Sequence, residues 1–307
     1  MINLKVGENN CRIPEKWTEV KLKDYEKLYA LMVQNEFKEP EEKPTTEDAI
    51  DILEKERALH NVRINRKVFA ELTGLSEEII NQTDVKQMNE TITLMTNFLN
   101  KSSGQYEQND NAFSFKHKGK TYFFPLINME SNTFGDYIET AQLEMIAQKQ
   151  DAKKMSVVAE QMAILCREKG EVYNEQLVQK KTKMFRELNM DVVWKFIFFF
   201  EQTNKYMQEK FPNIFKDGNR IENRHAQKHW DIMKPYGWLN TLYDIAMTGL
   251  FTKNPDNAID SVRNTNLYVV LTYLSWKSAN NEYNDAVRNS YEEEQKIKQN
   301  ARRNNKR

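Results

Sequence analysis

The stretch Asp191-Val192-Val193-Trp194-Lys195-Phe196-Ile197-Phe198-Phe199-Phe200-Glu201 is the most apolar run of a chain whose mean hydropathy is −0.79. Its aromatic residues are contiguous, so on a helix they point in every direction rather than along one stripe, and such a helix is surrounded by protein on most sides. The run is too short to span a bilayer and carries Lys195 within it. It reads as a core helix that extends through Tyr206, Met207 and Phe211 to Pro212. The polar segments on both sides read as amphipathic helices that need such a partner.

Composition agrees with a helical protein. Only nine glycines and seven prolines occur in 307 residues, too few for the turns of a many-stranded β fold. Lys plus Arg and Asp plus Glu are equal at 45 each, so no global field draws the chain to nucleic acid or to an anionic membrane. Cys11 and Cys166 are far apart and form no CxxC pair, which argues against a disulfide framework or a zinc site and for a reducing cytoplasm. The segment Met1-Ile2-Asn3-Leu4-Lys5-Val6 has no signal-peptide character.

Outward from the apolar run, the pattern predicts a mainly α protein with a small α+β N-terminal part containing two β-hairpins. The first hairpin joins Ile2–Val6 to Cys11-Arg12-Ile13 and closes at Pro14. A helix follows with Tyr25, Leu28, Tyr29 and Met32 at helical spacing. The charged, proline-broken residues from Glu36 onward predict an insertion over 36–60, from which a helix through Ile50, Leu53 and Leu59 emerges. Gly74 is a C-cap signal, Ser76 an N-cap, and Asp84 opens a helix with Met88, Ile92, Met95 and Leu99 on one face. Phe113–Lys116 and Thr121–Pro125 around His117-Lys118-Gly119-Lys120 predict the second hairpin. Thr133 caps the helix that begins at Phe134. The domains expected are 1–150 (α+β), 151–280 (all-helical) and 281–307, a charged tail that is frayed or disordered.

No P-loop, dinucleotide fingerprint, nucleophile elbow or zincin motif occurs, and the expectation is a non-enzyme. His225 and His229 share one helical face, but Ala226 stands where a zincin has its glutamate, and Arg220, Arg224 and Lys228 oppose a cation. The pair reads as a solvated or partner-facing basic helix, with no metal and no cofactor. Side chains suited to phosphate contact are Arg220, Arg224 and Lys228, and in the tail Arg302, Arg303 and Arg307. Glu292, Glu293 and Glu294 directly before the tail favour intrahelical pairing, which makes nucleic acid the lesser reading. Cys166 reads as a buried structural thiol. A partner would meet the helices around the apolar run, Met162 to Tyr173 and Trp238 to Leu274, with Tyr173, Trp238, Leu242 and Tyr243 as candidate contacts.

Three groups of segments resemble a family of tailed-bacteriophage proteins from the structural and tail region. They are Phe69-Ala70-Glu71-Leu72-Thr73-Gly74-Leu75-Ser76-Glu77-Glu78-Ile79; the hairpin Phe115 to Phe124 with Thr133-Phe134-Gly135-Asp136-Tyr137-Ile138-Glu139; and Ala163-Ile164-Leu165-Cys166-Arg167 with Gly170-Glu171-Val172-Tyr173, Gly237-Trp238-Leu239 and Leu267 to Lys277. Proteins with this order are similar to tail assembly chaperones and related connector components. The resemblance covers about residues 60–277 and leaves out the insertion and the basic tail. It implies a role in virion assembly, in the host cytoplasm or in the particle. The partners it implies are a tape-measure protein, whose hydrophobic helices a chaperone shields until tail subunits polymerise, or the tail subunits themselves.

Overall fold

A computed structural model of the chain describes residues 1–6, 8–40, 44–84, 86, 88, 90–91, 93–94, 113–126, 128–215, 228–252 and 254–304. Among these residues are eleven α-helices and two two-stranded antiparallel sheets, the mainly α architecture with two hairpins that the sequence predicts. The chain forms two compact units, one of Met1–Pro125 and Glu139–Phe199, the other of Leu126–Ile138 and Phe200–Arg307. The boundary expected near Gln150 does not coincide with any of the three crossings, after Pro125, Ile138 and Phe199. Residues 151–199, expected in the second half, lie in the first unit, where Arg167 exchanges backbone hydrogen bonds with Phe123 of the second hairpin, and Leu188 and Met190 pair with Leu22 and Val20.

In the first unit, β1 (Ile2–Val6) pairs with β2 (Asn9–Ile13), Ile2 opposite Ile13 and Val6 opposite Asn9. Val6, Cys11 and Ile13 are buried, and Pro14 ends pairing because it has no N–H to donate. Helix α1 (Leu22–Gln34) buries Leu22, Tyr25 and Leu28 on one side. Its start is tied to a distant segment: Leu22 N–H donates to the Leu188 carbonyl at 2.8 Å, and Met190 N–H donates to the Val20 carbonyl at 2.8 Å. Trp17, Tyr25 and Trp194 pack edge-to-face in a triangle, with centroids 5.5–5.6 Å apart.

Helix α2 (Glu47–Thr73) is continuous for 27 residues and ends at Gly74, whose φ of +70° is the left-handed cap that glycine adopts without strain. It takes in 47–60, so the predicted insertion 36–60 is helical over more than half its length. Acids at Glu47 and Asp48 favour its N-terminus, and the Asp51–Lys55 pair at 2.6 Å supports its first turns. Helix α3 (Glu77–Gln82) is capped by Ser76, whose hydroxyl accepts from Ile79 N–H. The described residues after Asp84 are helical and bury Met88; Ile92, Met95 and Leu99 lie outside the described residues. Strands β3 (Ser114–His117) and β4 (Lys120–Phe123) are joined by Lys118 (φ +48°) and Gly119 (φ +78°). Two positive φ values make a type I′ turn, which matches strand twist, and pairing reaches one residue nearer the turn on each arm than expected, to His117 and Lys120. Phe123 then exchanges backbone hydrogen bonds with Arg167 at 2.9 and 3.2 Å.

Helix α4 (Phe134–Lys149) crosses between units after Ile138. Helices α5 (Val158–Leu165) and α6 (Glu175–Phe185) follow in the first unit, α6 capped by the Asn174 side chain. Helix α7 (Met190–Lys210) contains the apolar run. Its fully buried positions fall on one stripe, Met190, Val193, Phe196, Thr203 and Met207, while Trp194 and Ile197 to Phe200 are half-buried. The helix is covered on most sides as expected, but one face carries the deepest burial.

The second unit is organised around an N-cap and a close approach. Thr133 and Asp136 form a capping box: Thr133 N–H donates to Asp136 Oδ2 at 2.9 Å, and Asp136 N–H donates to Thr133 Oγ1 at 3.2 Å. A Cβ at Gly135 would lie 3.1 Å from the Arg263 carbonyl oxygen, so glycine permits this contact. Phe134 N–H donates to the Thr265 carbonyl, and Leu267 N–H to the Asn132 carbonyl. The remaining helices are α8 (Pro212–Phe215), α9 (Trp238–Met247), α10 (Ala258–Arg263) and α11 (Leu267–Asn304). The last runs unbroken to Asn304, within the segment 281–307 expected to be a frayed helix or disordered. Its composition from 281 onward is rich in helix formers, with pairs such as Lys298–Glu294 at 2.6 Å.

Phe196 is 1% exposed and Phe198 half-buried. Phe196→Ala is expected to lower unfolding free energy by about 3–5 kcal/mol and Phe198→Ala by clearly less. Urea denaturation followed by circular dichroism checks the order; equal losses would contradict the stripe.

Candidate functional site

The strongest concentration of chemistry in the first unit is an interior ammonium. Lys181 lies on the buried face of α6 with Val178 and Phe185, at i, i+3 and i+7. Its side chain is 3% exposed, and Nζ donates to the Cys166 carbonyl at 2.7 Å and to Glu171 Oε1 at 2.7 Å. The Tyr122 and Phe185 rings stand 5.7 and 5.8 Å from the same nitrogen. Burial pushes the Lys181 pKa down, and the Glu171 carboxylate opposes that shift. The second Glu171 oxygen accepts from Glu168 N–H at 3.0 Å, and Glu168 pairs with Lys120 at 2.6 Å. Every oxygen around the ammonium is thus already engaged, and the arrangement ties hairpin β3–β4, the 166–171 loop and α6 together.

Cys166 is fully buried and its thiol pKa is pushed up by burial, the state of an unreactive structural thiol. Burial also raises the Cys11 thiol. Glu26, 7% exposed, receives a two-pronged contact from Arg186 across α1 and α6. Glu187, the next residue, bonds Lys21 and Lys23 at 2.8 Å each, and these hydrogen bonds lower its pKa to about 2. Among the described residues no group of three His, Cys, Asp or Glu could hold a metal ion, and no helix is long and apolar enough to cross a membrane.

The residues expected to meet a partner are placed differently from one another. Leu242 is buried within its unit. Trp238 is half-buried in an aromatic group, with Tyr137, Phe215 and Phe134 centroids at 5.1, 5.8 and 6.2 Å. Tyr173 is half-buried: its hydroxyl donates to Glu139 Oε2 at 2.5 Å, and the Arg167 guanidinium stands over its ring. These three serve internal packing. Tyr243 alone of the four is exposed, at 50%. The neighbours that complete its surface, Met247 (88%) and Leu250, sequence reading missed. The signal was available for Tyr243 and Met247, which stand four residues apart beside the buried stripe of Leu242, Ile245 and Ala246; Leu250 lies past the helix end, after the left-handed Gly249.

Of the residues suited to phosphate, Arg220, Arg224 and Arg307 lie outside the described residues, as does His225. Arg302 and Arg303 fall in the last turn of the α11 backbone. Lys228 and His229 are exposed.

Comparison of the chain with models of known protein families, with characterised proteins and with solved structures yields no match. The resemblance to phage tail proteins rests on the quoted segments alone.

Glu171→Ala should cost about 3–5 kcal/mol because it strands a buried ammonium, whereas replacing both partners, Lys181→Met with Glu171→Leu, should cost clearly less; chemical denaturation of both variants checks this. Glu187 has a folded pKa near 2 against an ordinary value of 4.5, so its contribution is present above about pH 4.5 and lost as pH falls toward 2. Glu187→Gln is expected to flatten the melting-temperature profile in that acid window and to change nothing between the two proteins' slopes at neutral pH.

Proposed function

We propose that the chain is a non-enzymatic bacteriophage tail assembly chaperone or minor tail structural protein that binds other phage proteins through helical surfaces. The observation that carries this reading is the exposed apolar pair Tyr243 and Met247, four residues apart on α9, with exposed Leu250 just past the helix end. Burying each such side chain is worth about 1.5–3 kcal/mol, and association itself costs several kcal/mol. A surface of this size suits a reversible hold on an apolar helix, such as one of a tape-measure protein, better than permanent assembly. The fully paired state of Lys181 and the buried state of Cys166 support a non-catalytic role.

A second reading, a head–tail connector or ring component that stays in the particle, uses the same surfaces with a permanent partner. Mass spectrometry of purified particles separates the two, since a chaperone is absent from them. A DNA-handling accessory is favoured only by the four bases and no acids in 296–304.

Co-expression with the tape-measure protein is expected to give a co-purifying complex. Tyr243→Asp combined with Met247→Asp should reduce capture by at least about tenfold with the melting temperature unchanged. Absence of capture at high expression of both proteins, or capture insensitive to the double substitution, would overturn the proposal.

A further inference from the structure

The β3–β4 hairpin lies with one face on the C-terminal end of α6. Phe115 and His117, two residues apart on β3, share that face. Together with Tyr122 they meet the Phe185 ring, at centroid distances of 5.5 Å for Phe115, 6.4 Å for His117 and 5.0 Å for Tyr122. The far end of the hairpin is pinned by the backbone exchange between Phe123 and Arg167. At the turn end the His117 ring takes that part by bonding the Met184 backbone. The ring is half-buried, but its Nε2 is cut off from solvent and has no hydrogen-bond partner. The bond to the Met184 carbonyl therefore comes from Nδ1–H, and the ring in this state is neutral with a bare Nε2 turned inside.

A proton added at Nε2 meets no acceptor. A buried N–H without a partner costs its desolvation, and a buried charge costs more. The neighbouring charges add to that cost. Lys118 follows the ring in the turn, and Lys21, just before α1, also acts against its charged form. Lys120 stands opposite it in the hairpin register, paired with Glu168 at 2.6 Å. Glu187 favours the charged ring, but its carboxylate is already shared between Lys21 and Lys23 at 2.8 Å each. Those bonds hold the Glu187 pKa at about 2, so its charge stays constant in mildly acid solution. Burial first, then Lys118 and Lys21, set the His117 pKa below its ordinary 6.5 against the pull of Met184 and Glu187.

We infer that His117 is a pH-sensitive latch: neutral, it holds the turn end of the β3–β4 hairpin on the end of α6, and on taking up a proton it releases that end. Release lets the imidazolium reach water and loosens the cover over Phe115, Tyr122 and Phe185, each at most 6% exposed in the closed form. The closed form binds the proton less well than the open one. Its advantage is complete above about pH 6.5, shrinks as pH falls below that value and levels off below the pKa of the closed form. A single proton limits the response to about tenfold in the opening equilibrium per pH unit. The latch is independent of the proposed tail role.

Hydrogen exchange of the full chain from about pH 8 to about pH 5, corrected for the pH dependence of chemical exchange, tests it. Protection of amides 115–122 should fall with pH by up to about tenfold per unit, while that of amides 190–200 stays constant. His117→Asn offers an N–H to Met184 and takes up no proton, so its protection should be flat over the same range. Lys118→Asp sits at a left-handed turn position (φ +48°) that aspartate tolerates and places a carboxylate beside the ring. It should reduce the fall in protection at least about threefold. NMR of the His117 ring nitrogens near neutral pH should show Nδ1 protonated and Nε2 bare. Wild-type protection that ignores pH, an equal response in His117→Asn, an unchanged response in Lys118→Asp, or a neutral ring protonated at Nε2 would each overturn the inference.

Discussion

An ammonium without water must be surrounded by oxygen acceptors, and at Lys181 the chain supplies them from two places. The Cys166 carbonyl and the Glu171 carboxylate close on the nitrogen at 2.7 Å each, under the Tyr122 and Phe185 rings. Meeting that demand fixes where the loop after α5 must run, and the loop in turn offers Arg167 to the backbone of Phe123. The hairpin, the loop and α6 are therefore positioned by one desolvated charge. The same logic recurs at Glu26, a buried carboxylate whose requirement is met by Arg186. Both contacts specify a single arrangement rather than adding much net stability, because desolvation offsets most of the attraction.

Backbone pairing does the rest of the long-range work. Lys21 bridges Asn189, Phe123 bridges Arg167, and Thr133 bridges Asn266, each an isolated antiparallel bridge between segments far apart in sequence. The first two lie within the first unit and the third within the second. Such bridges use groups that every residue carries, so no residue type announces them.

That limits what the sequence could show. Local signals were legible because their physics is local: Ser76, Thr133 and Gly74 at helix ends, Lys118-Gly119 in a tight turn, and the apolar run of α7. The unit boundary was not, since it depends on the bridges. Lys181 was overlooked because α6 reads as polar, although a lysine between Val178 and Phe185 on one face is the trace of a buried charge. Trp238 and Leu242 were read as contact residues from their apolar character alone, which does not distinguish the inner face of α9 from its outer one. For 281–304 the sequence left a frayed helix and disorder both open, because few apolar residues there point to a core and those that occur stay exposed.

The packed interior leaves Tyr243 and Met247 exposed on α9, and these side chains are the surface that the proposed function uses. Hydrogen exchange with and without the tape-measure protein tests that proposal directly. Amides around Phe196 and Lys181 should exchange slowly under both conditions. Amides near 243–250 should gain protection only with the partner. Unchanged exchange at 243–250 on adding the partner, or changes confined to the interior, would contradict it.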